Sequence, residues 1–185
     1  EIYQAAEGFL GYTCLKGRMH LNEEFLHVEP MWIDGKKERF QPIITDFTRK
    51  TQWIVRYKLD DILLINPKPC PCGRKTKTLK SIIGRADEVL WLPSLSGERL
   101  APIFPDVLRK ALYSVSRAPT DYLIEQYGLR WVIRLQGGDA ECVIKSLVNM
   151  MEELKIIHPE FQIEFNLKRT NHTKKRRIRC HQKPS

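Results

Sequence analysis

The stretch IIGRADEVLWLPSLSGERLAP, residues Ile82–Pro102, is where one kind of chain gives way to another. Upstream of it lie short runs rich in branched and aromatic residues: RMHLNEEFLHVEP (18–30), FQPIITDF (40–47) and QWIVRYKLDDILLI (52–65). Polar residues alternate through them, and turn signals such as DGKK (34–37) and NPKPCPCG (66–73) separate them, so this part reads as β-rich. Downstream the period changes. IFPDVLRKALYSV (103–115) places Ile103, Val107, Ala111 and Leu112 near one helical face, with Pro105 and Asp106 suited to a first turn. DYLIEQYGLRWVIRLQ (121–136) is two alternating runs meeting at a glycine, a hairpin pattern. DAECVIKSLVNMMEELKII (139–157) is an amphipathic helix carrying Val143, Leu147, Met150, Met151 and Leu154 on one side, and FQIEFNL (161–167) reads as a last strand. Helix, two strands, helix and strand make a small α+β sandwich. The expected division is therefore a β-rich part over residues 1–85 and an α+β part over residues 86–185, with the boundary between Gly84 and Glu88.

Composition fits folded material, with 42% hydrophobic residues, 29% charged and four tryptophans in a chain of 185. No run approaches the eighteen or so apolar residues of a membrane span, and no charged-then-apolar signal segment opens the sequence, an absence that says little about targeting because the start looks internal; the expected location is cytoplasmic. The first residues look internal to a longer polypeptide. The formal charge of +9 raises the question of nucleic acid, but it is concentrated in one place: Leu167 to Ser185 holds eight lysines and arginines and no acid, leaving the rest near +1. A nearly neutral body argues against nucleic acid as the partner. The tail reads as a solvated basic run, a polyanion contact or part of a phosphate site.

Two groups of residues invite a chemical reading. Cys14 and His20 stand close in sequence, and Cys70 and Cys72 flank a single proline. Three thiols and an imidazole satisfy tetrahedral zinc, although the one-residue gap in CPC is tighter than the familiar two-residue gap, and the same cysteines serve equally well as small buried hydrophobes. The second group is scattered: Glu7, Asp60 and Asp61, Arg85, and the terminal TKKRRIR. Each alone has an ordinary explanation, as a strand-end acid, a turn, an ion-pair partner and a solvated run.

Their order along the chain carries a resemblance. YQAAEG (3–8), IVRYKLDD (54–61), IIGRADEVLWLPSLSGERLAP (82–102) and KKRRIR (174–179) resemble the second half of an adenylate-forming enzyme, of the branch that holds phenylacetate-CoA ligases and relatives of deazaflavin-coenzyme synthetases. The C…H and CPCGR elements resemble the same branch, which favours zinc. The resemblance implies an α+β protein made of the β-rich C-terminal part of the large AMP-binding domain followed by the small mobile domain. It implies that Tyr3 lies by adenine, that Glu7 binds the Mg2+ accompanying ATP, and that Asp61 takes hydrogen bonds from the ribose hydroxyls, with Asp60 its less favoured neighbour. Arg85 would contact ribose or phosphate, and Asp87 would be the hinge. Lys174, or Lys175 if the register slips, would steady charge between carboxylate and α-phosphate. Cys14, His20, Cys70 and Cys72 would hold a structural zinc ion. The implied partners are a small carboxylic acid, ATP and an N-terminal half that this sequence lacks, with the acceptor left open between a thiol such as coenzyme A and a reaction that stops at the adenylate.

Three departures stand out. Ala6 occupies the place where a hydroxyl residue commonly precedes the glutamate, the tail reads NHTKK without a glycine before the lysine, and no glycine-rich phosphate loop is present. The sequence therefore predicts no adenylation by this stretch alone. It leaves two rivals: a zinc-stabilised module touching nucleic acid through its tail, and a degenerate adenylating enzyme.

Overall fold

The computed structural model describes residues 1–97, 99–165, 167 and 177–183. Its contacts cluster into two units, Glu1–Ala86 and Asp87–Ser185. Among the described residues no helix is long and apolar enough to cross a membrane.

The first unit is all strand: β1 (Ile2–Ala5), β2 (Gly8–Thr13), β3 (Met19–Leu21), β4 (Leu26–Trp32), β5 (Arg39–Asp46), β6 (Ile54–Lys58), β7 (Asp61–Asn66) and β8 (Thr78–Arg85). They form one eight-stranded antiparallel sheet in the order β1-β2-β3-β8-β7-β5-β4, with β6 also paired to β5. The imperfect period noted in RMHLNEEFLHVEP has a simple cause: the run is two strands, β3 and β4, with a turn at Asn22–Phe25 between them. Tyr3 and Leu10, from one end of the strand order, share a buried cluster with Leu26, Val28 and Phe40 from the other end. The sheet is therefore curled on itself, which brings distant segments together. Arg49, just after β5, donates to the Ala6 carbonyl at 2.7 Å, tying the β5 end to the turn between β1 and β2.

The second unit begins in a short 3₁₀ turn, Ala86–Glu88, which straddles the boundary, and continues with the two-stranded β9 (Leu90–Pro93) and β10 (Leu100–Ile103). Helix α1 (Pro105–Tyr113) starts at the proline the sequence pointed to, and α2 (Ala140–Glu153) starts after Asp139, whose carboxylate accepts the Glu141 and Cys142 amides. Between them the predicted hairpin is β11 (Asp121–Tyr127) and β12 (Arg130–Gln136), which turn at Gly128 with φ 62°. The sheet order is β13 (Glu160–Glu164), β12, β11 and β14 (Ile178–Gln182). Trp131, Ile133, Leu147 and Met151 are fully buried in its core.

One expectation is corrected here. The tail is not all solvated run: residues 178–182 are a strand, parallel to β11, so FQIEFNL is not the last. Ile178 enters the core, while Arg179 and His181 reach Glu125 at 3.3 and 3.1 Å. Arg134 also bonds Glu125, and binds Glu164 at 2.9 Å. Part of the basic charge is thus spent on a carboxylate whose side chain is only 8% exposed. Burial alone would raise the Glu125 pKa, but hydrogen bonds from Arg134 and His181 and the charges of Arg134 and Arg179 hold it below the ordinary carboxylate value. A depressed folded pKa gives stability that is present above the unfolded value and is lost as pH falls through the folded one. Glu125→Gln is therefore expected to cost about 1–3 kcal/mol at pH 7. Chemical denaturation of variant and wild type should show that difference shrinking as pH drops below about 4.

Candidate functional site

The β7–β8 hairpin organises both groups of candidate residues, one at each end. At its turn, Cys70 and Cys72 lie in the loop joining the strands, opposite the β2–β3 hairpin that carries Cys14 and His20. Gly73, with φ 87°, lets that loop double back after the second cysteine. Gly11 serves the other hairpin, since a Cβ there would stand 2.5 Å from the His20 carbonyl oxygen, and only glycine lets β2 and β3 approach so closely.

The three Sγ atoms and one imidazole nitrogen all lie within 4.8 Å of one another. Cys14 Sγ and Cys70 Sγ are 3.6 Å apart, and Cys72 Sγ is 3.4 Å from His20 Nε2. These are free thiols, far beyond disulfide length. Metal–sulfur bonds of about 2.3 Å at tetrahedral angles put two sulfurs about 3.8 Å apart, so the 3.6 Å separation of Cys14 and Cys70 is of the size a tetrahedral zinc site needs. Thr76 Oγ1 sits 2.8 Å from His20 Nδ1, which leaves Nε2 for the metal side. Burial pushes the Cys14 thiol up, but the Arg18 and Lys16 amides and the neighbouring Cys70 outweigh it and bring it down to about 6. Burial raises the Cys70 thiol. A thiol already inclined to ionise is the form a metal takes.

At the open end of the hairpin, Asp61 and Arg85 face each other as paired residues of β7 and β8. Arg85 Nη2 is 2.9 Å from Asp60 Oδ2, both side chains being about half exposed. From β1, the Tyr3 hydroxyl donates to Asp61 Oδ2 at 2.7 Å. Glu7, half-buried in the turn after β1, is close enough to Tyr3 and Tyr57 that its charge raises the pKa of both phenols. The curled sheet thus brings Glu7, Asp60, Asp61 and Arg85 to one rim, although they are up to 78 positions apart in sequence. Glu7 offers one hard oxygen ligand there, which suits Mg2+ because that ion takes one or two protein carboxylates and completes its shell with phosphate and water.

The ring of Tyr3, the residue expected by adenine, packs among Leu10, Leu21 and Leu26 with only 6% of the residue exposed. Sequence reading missed the Tyr3–Asp61 bond, which exists only once β1 and β7 come together in the curled sheet. Asp87 lies in the 3₁₀ turn where the second unit begins. Lys174 and Lys175 lie outside the described residues.

No family profile matches the sequence, and no curated protein matches it either. Solved structures do. 2-Hydroxyisobutyryl-CoA ligase in the postadenylation state, in complex with R3-HIB-AMP, is 19% identical with a TM-score of 0.67 over 96% of this chain and 41% of that one. An open conformation of that ligase, in complex with 2-HIB-AMP and CoA, gives 18% and 0.59 over 96% and 42%. GH3.15 acyl acid amido synthetase gives 16% and 0.58 over 88% and 34%. The chain thus spans about two fifths of the length of the ligases it resembles. At such identities the likeness establishes architecture: this is a strand-rich α+β fold of the kind found in the C-terminal part of adenylating ligases.

Proposed function

We propose that the chain is the C-terminal portion of an ATP-dependent, carboxylate-activating ligase of the phenylacetate-CoA ligase-like branch, working as part of a longer polypeptide. The observation that carries this reading is the meeting of Glu7, Asp61 and Arg85 at one rim of the first unit. Residues 1–85 are then the end of the large AMP-binding domain and residues 86–185 the small mobile domain.

A carboxylate is a poor acyl donor because its oxygen leaves badly. Attack of the carboxylate oxygen on the α-phosphorus of ATP forms an acyl-adenylate and releases pyrophosphate, and a thiol such as that of coenzyme A then displaces AMP. No protein nucleophile is needed, so this chain's contribution is positioning and charge. Asp61 accepts from the ribose hydroxyls and fixes the nucleotide about its sugar. Arg85, held near its place by Asp60, supplies positive charge beside ribose or phosphate. Glu7 would hold Mg2+, which when bound supplies charge neutralisation at the phosphates. Cys14, His20, Cys70 and Cys72 would hold zinc as a structural cross-link between the two hairpins. Lys174, or its neighbour Lys175, would steady charge at the α-phosphate, and Asp87 would be the point about which the small domain turns between half-reactions.

Ala6 favours one alternative, a degenerate enzyme, because it offers the site a backbone carbonyl, already taken by Arg49, and no hydroxyl. Loss of one such hydrogen bond, about 0.5–1.5 kcal/mol, is compatible with retained activity. The test is pyrophosphate release by the complete polypeptide, supplied with Mg-ATP and a panel of carboxylic acids. Acid-dependent release is the expected result. Tight nucleotide binding with no release for any acid would indicate the degenerate form, and absence of both would overturn the reading.

A further inference from the structure

The turn that carries Glu7 is not one that holds itself. Ala5 pairs with Gly8 across the β1–β2 hairpin, so Ala6 and Glu7 are its two loop residues. The favoured two-residue hairpin turns need positive φ at the first loop position, because their twist matches that of the flanking strands. Neither Ala6 nor Glu7 has it; among the described residues other than glycine, positive φ occurs at Lys37, Arg56 and Lys155. The β1–β2 register also shifts between Tyr3 and Gln4, so the hairpin is irregular just before its tip. A tip of this kind splays unless something outside it takes hold.

The hold comes from the segment after β5. Arg49 Nη2 donates to the Ala6 carbonyl at 2.7 Å, across 43 positions of sequence. Asp46, the last residue of β5, aims the guanidinium, its Oδ2 lying 3.6 Å from Arg49 Nε. Its other oxygen, Oδ1, accepts the Thr48 amide at 2.7 Å and the Thr48 hydroxyl at 2.6 Å, which fixes the carboxylate in turn. The Asp46 side chain is 5% exposed and lies behind the tip, since a Cβ on Gly8 would stand 3.3 Å from its Oδ2. Burial alone would raise the Asp46 carboxyl, but the Thr48 hydroxyl and amide and the Arg49 amide and charge hold it below the ordinary carboxylate value.

We propose that Arg49 is a positioning residue for Glu7: aimed by Asp46, it clamps the β1–β2 tip through the Ala6 carbonyl and so fixes where the Glu7 carboxylate meets the divalent cation of the nucleotide. The proposal rests on the nucleotide reading given above. Mg2+ demands near-ideal octahedral geometry and takes few protein ligands, so a single carboxylate on a loose tip serves it badly. A displacement of about 1 Å in such a site costs about a hundredfold in rate. Because the clamp grips the main chain of residue 6, it does not depend on the side chain there, and alanine suffices.

The first test needs no activity. In the complete polypeptide without metal or nucleotide, Arg49→Met, which keeps an apolar stem and no donor, should speed amide hydrogen exchange over residues 4–9 about tenfold. The β7–β8 hairpin that bears Asp61 and Arg85 should keep its protection. Binding of AMP without Mg2+, which reads the Asp61 side of the rim, should change by less than about twofold. With an acid that supports pyrophosphate release, the same variant should raise the Mg2+ concentration for half-maximal rate about fivefold or more and lower kcat about tenfold. Arg49→Lys keeps the charge and a donor and should come within about threefold of wild type. In a Glu7→Gln background, Arg49→Met should change the rate by less than about twofold, since the carboxylate it positions is already gone. Unchanged exchange over residues 4–9, an unmoved Mg2+ requirement, or a full Arg49→Met effect in the Glu7→Gln background would each overturn the clamp while leaving the ligase reading intact. If Arg49→Met fails to fold, Asp46→Asn decides by the same exchange and Mg2+ measurements, because it keeps Oδ1 for Thr48 and removes only the charge that aims Arg49. A wild-type polypeptide that releases no pyrophosphate with any acid overturns the ligase reading and the positioning role with it.

Discussion

Cys70→Ser, or exhaustive chelation of the wild type, is expected to lower the melting temperature of the first unit by more than about 12 °C. The physical reason is chain entropy. Cys14 and Cys70 are separated by 56 positions, and a cross-link closing a loop of that size removes about 4 kcal/mol of freedom from the unfolded chain. For a domain of this size each kcal/mol is worth about 4–8 °C. The loss is also local, because the cysteine cluster joins the loop between β7 and β8 to the β2–β3 hairpin, where the Arg18 contacts to the Lys68 and Pro69 carbonyls and the Thr76–His20 contact also meet it. Metal analysis of the purified wild type should find about one zinc per chain, and Cys70→Ser or Cys72→Ser should abolish it. Thr76→Val should keep the metal but weaken it by about 10- to 100-fold, since the partner that orients His20 is removed and the ligands remain. A metal-free wild type whose melting point ignores chelators would show that the thiols are packing residues only.

Glu7→Gln is expected to reduce pyrophosphate release by the complete polypeptide about 10²- to 10³-fold with little change in melting temperature. The substitution keeps the size and one hydrogen-bonding oxygen of the side chain but removes the negative charge that a hard cation needs. Charge stabilisation at the transferring phosphoryl is where most of the rate enhancement lies, so the kcat term should carry the loss. Asp61→Asn should behave differently, raising the KM for ATP about tenfold while costing kcat little, because ribose contacts bind ground state and transition state alike. Rapid-quench measurement of the first turnover separates the two cases, as Glu7→Gln slows the chemical step and Asp61→Asn does not.

The elements of the second unit were legible where local chemistry decides. Pro105 and Asp106 open α1, Asp139 caps α2, and Gly128 turns the β11–β12 hairpin, each within a few residues of the feature it marks. Strand β14 was not legible. Its residues IRCHQ carry two positive or titratable side chains on one face, and its pairing to β11 is parallel and more than 50 positions away, so nothing near it in sequence announces a strand. The same contrast holds at the rim. Glu7, Asp61 and Arg85 could be named from the order of short segments, and their meeting follows from the curled sheet. The Tyr3–Asp61 bond depends on β1 and β7 converging, which no periodicity encodes. The cysteine–histidine cluster lies between: its four residues were visible from spacing, but that they meet, with separations of 3.4–3.6 Å, is defined only by the folded hairpins.

The account stands on the claim that the rim bearing Glu7, Asp61 and Arg85 is a nucleotide site. The most direct measurement is a crystal structure of the complete polypeptide with Mg2+ and a non-hydrolysable ATP analogue. The predicted result places the ribose hydroxyls within hydrogen-bonding distance of Asp61 Oδ1, with Tyr3 still on Oδ2, and the metal on the Glu7 side of the phosphates. A nucleotide bound elsewhere, with these three side chains turned to unrelated surfaces, would contradict it.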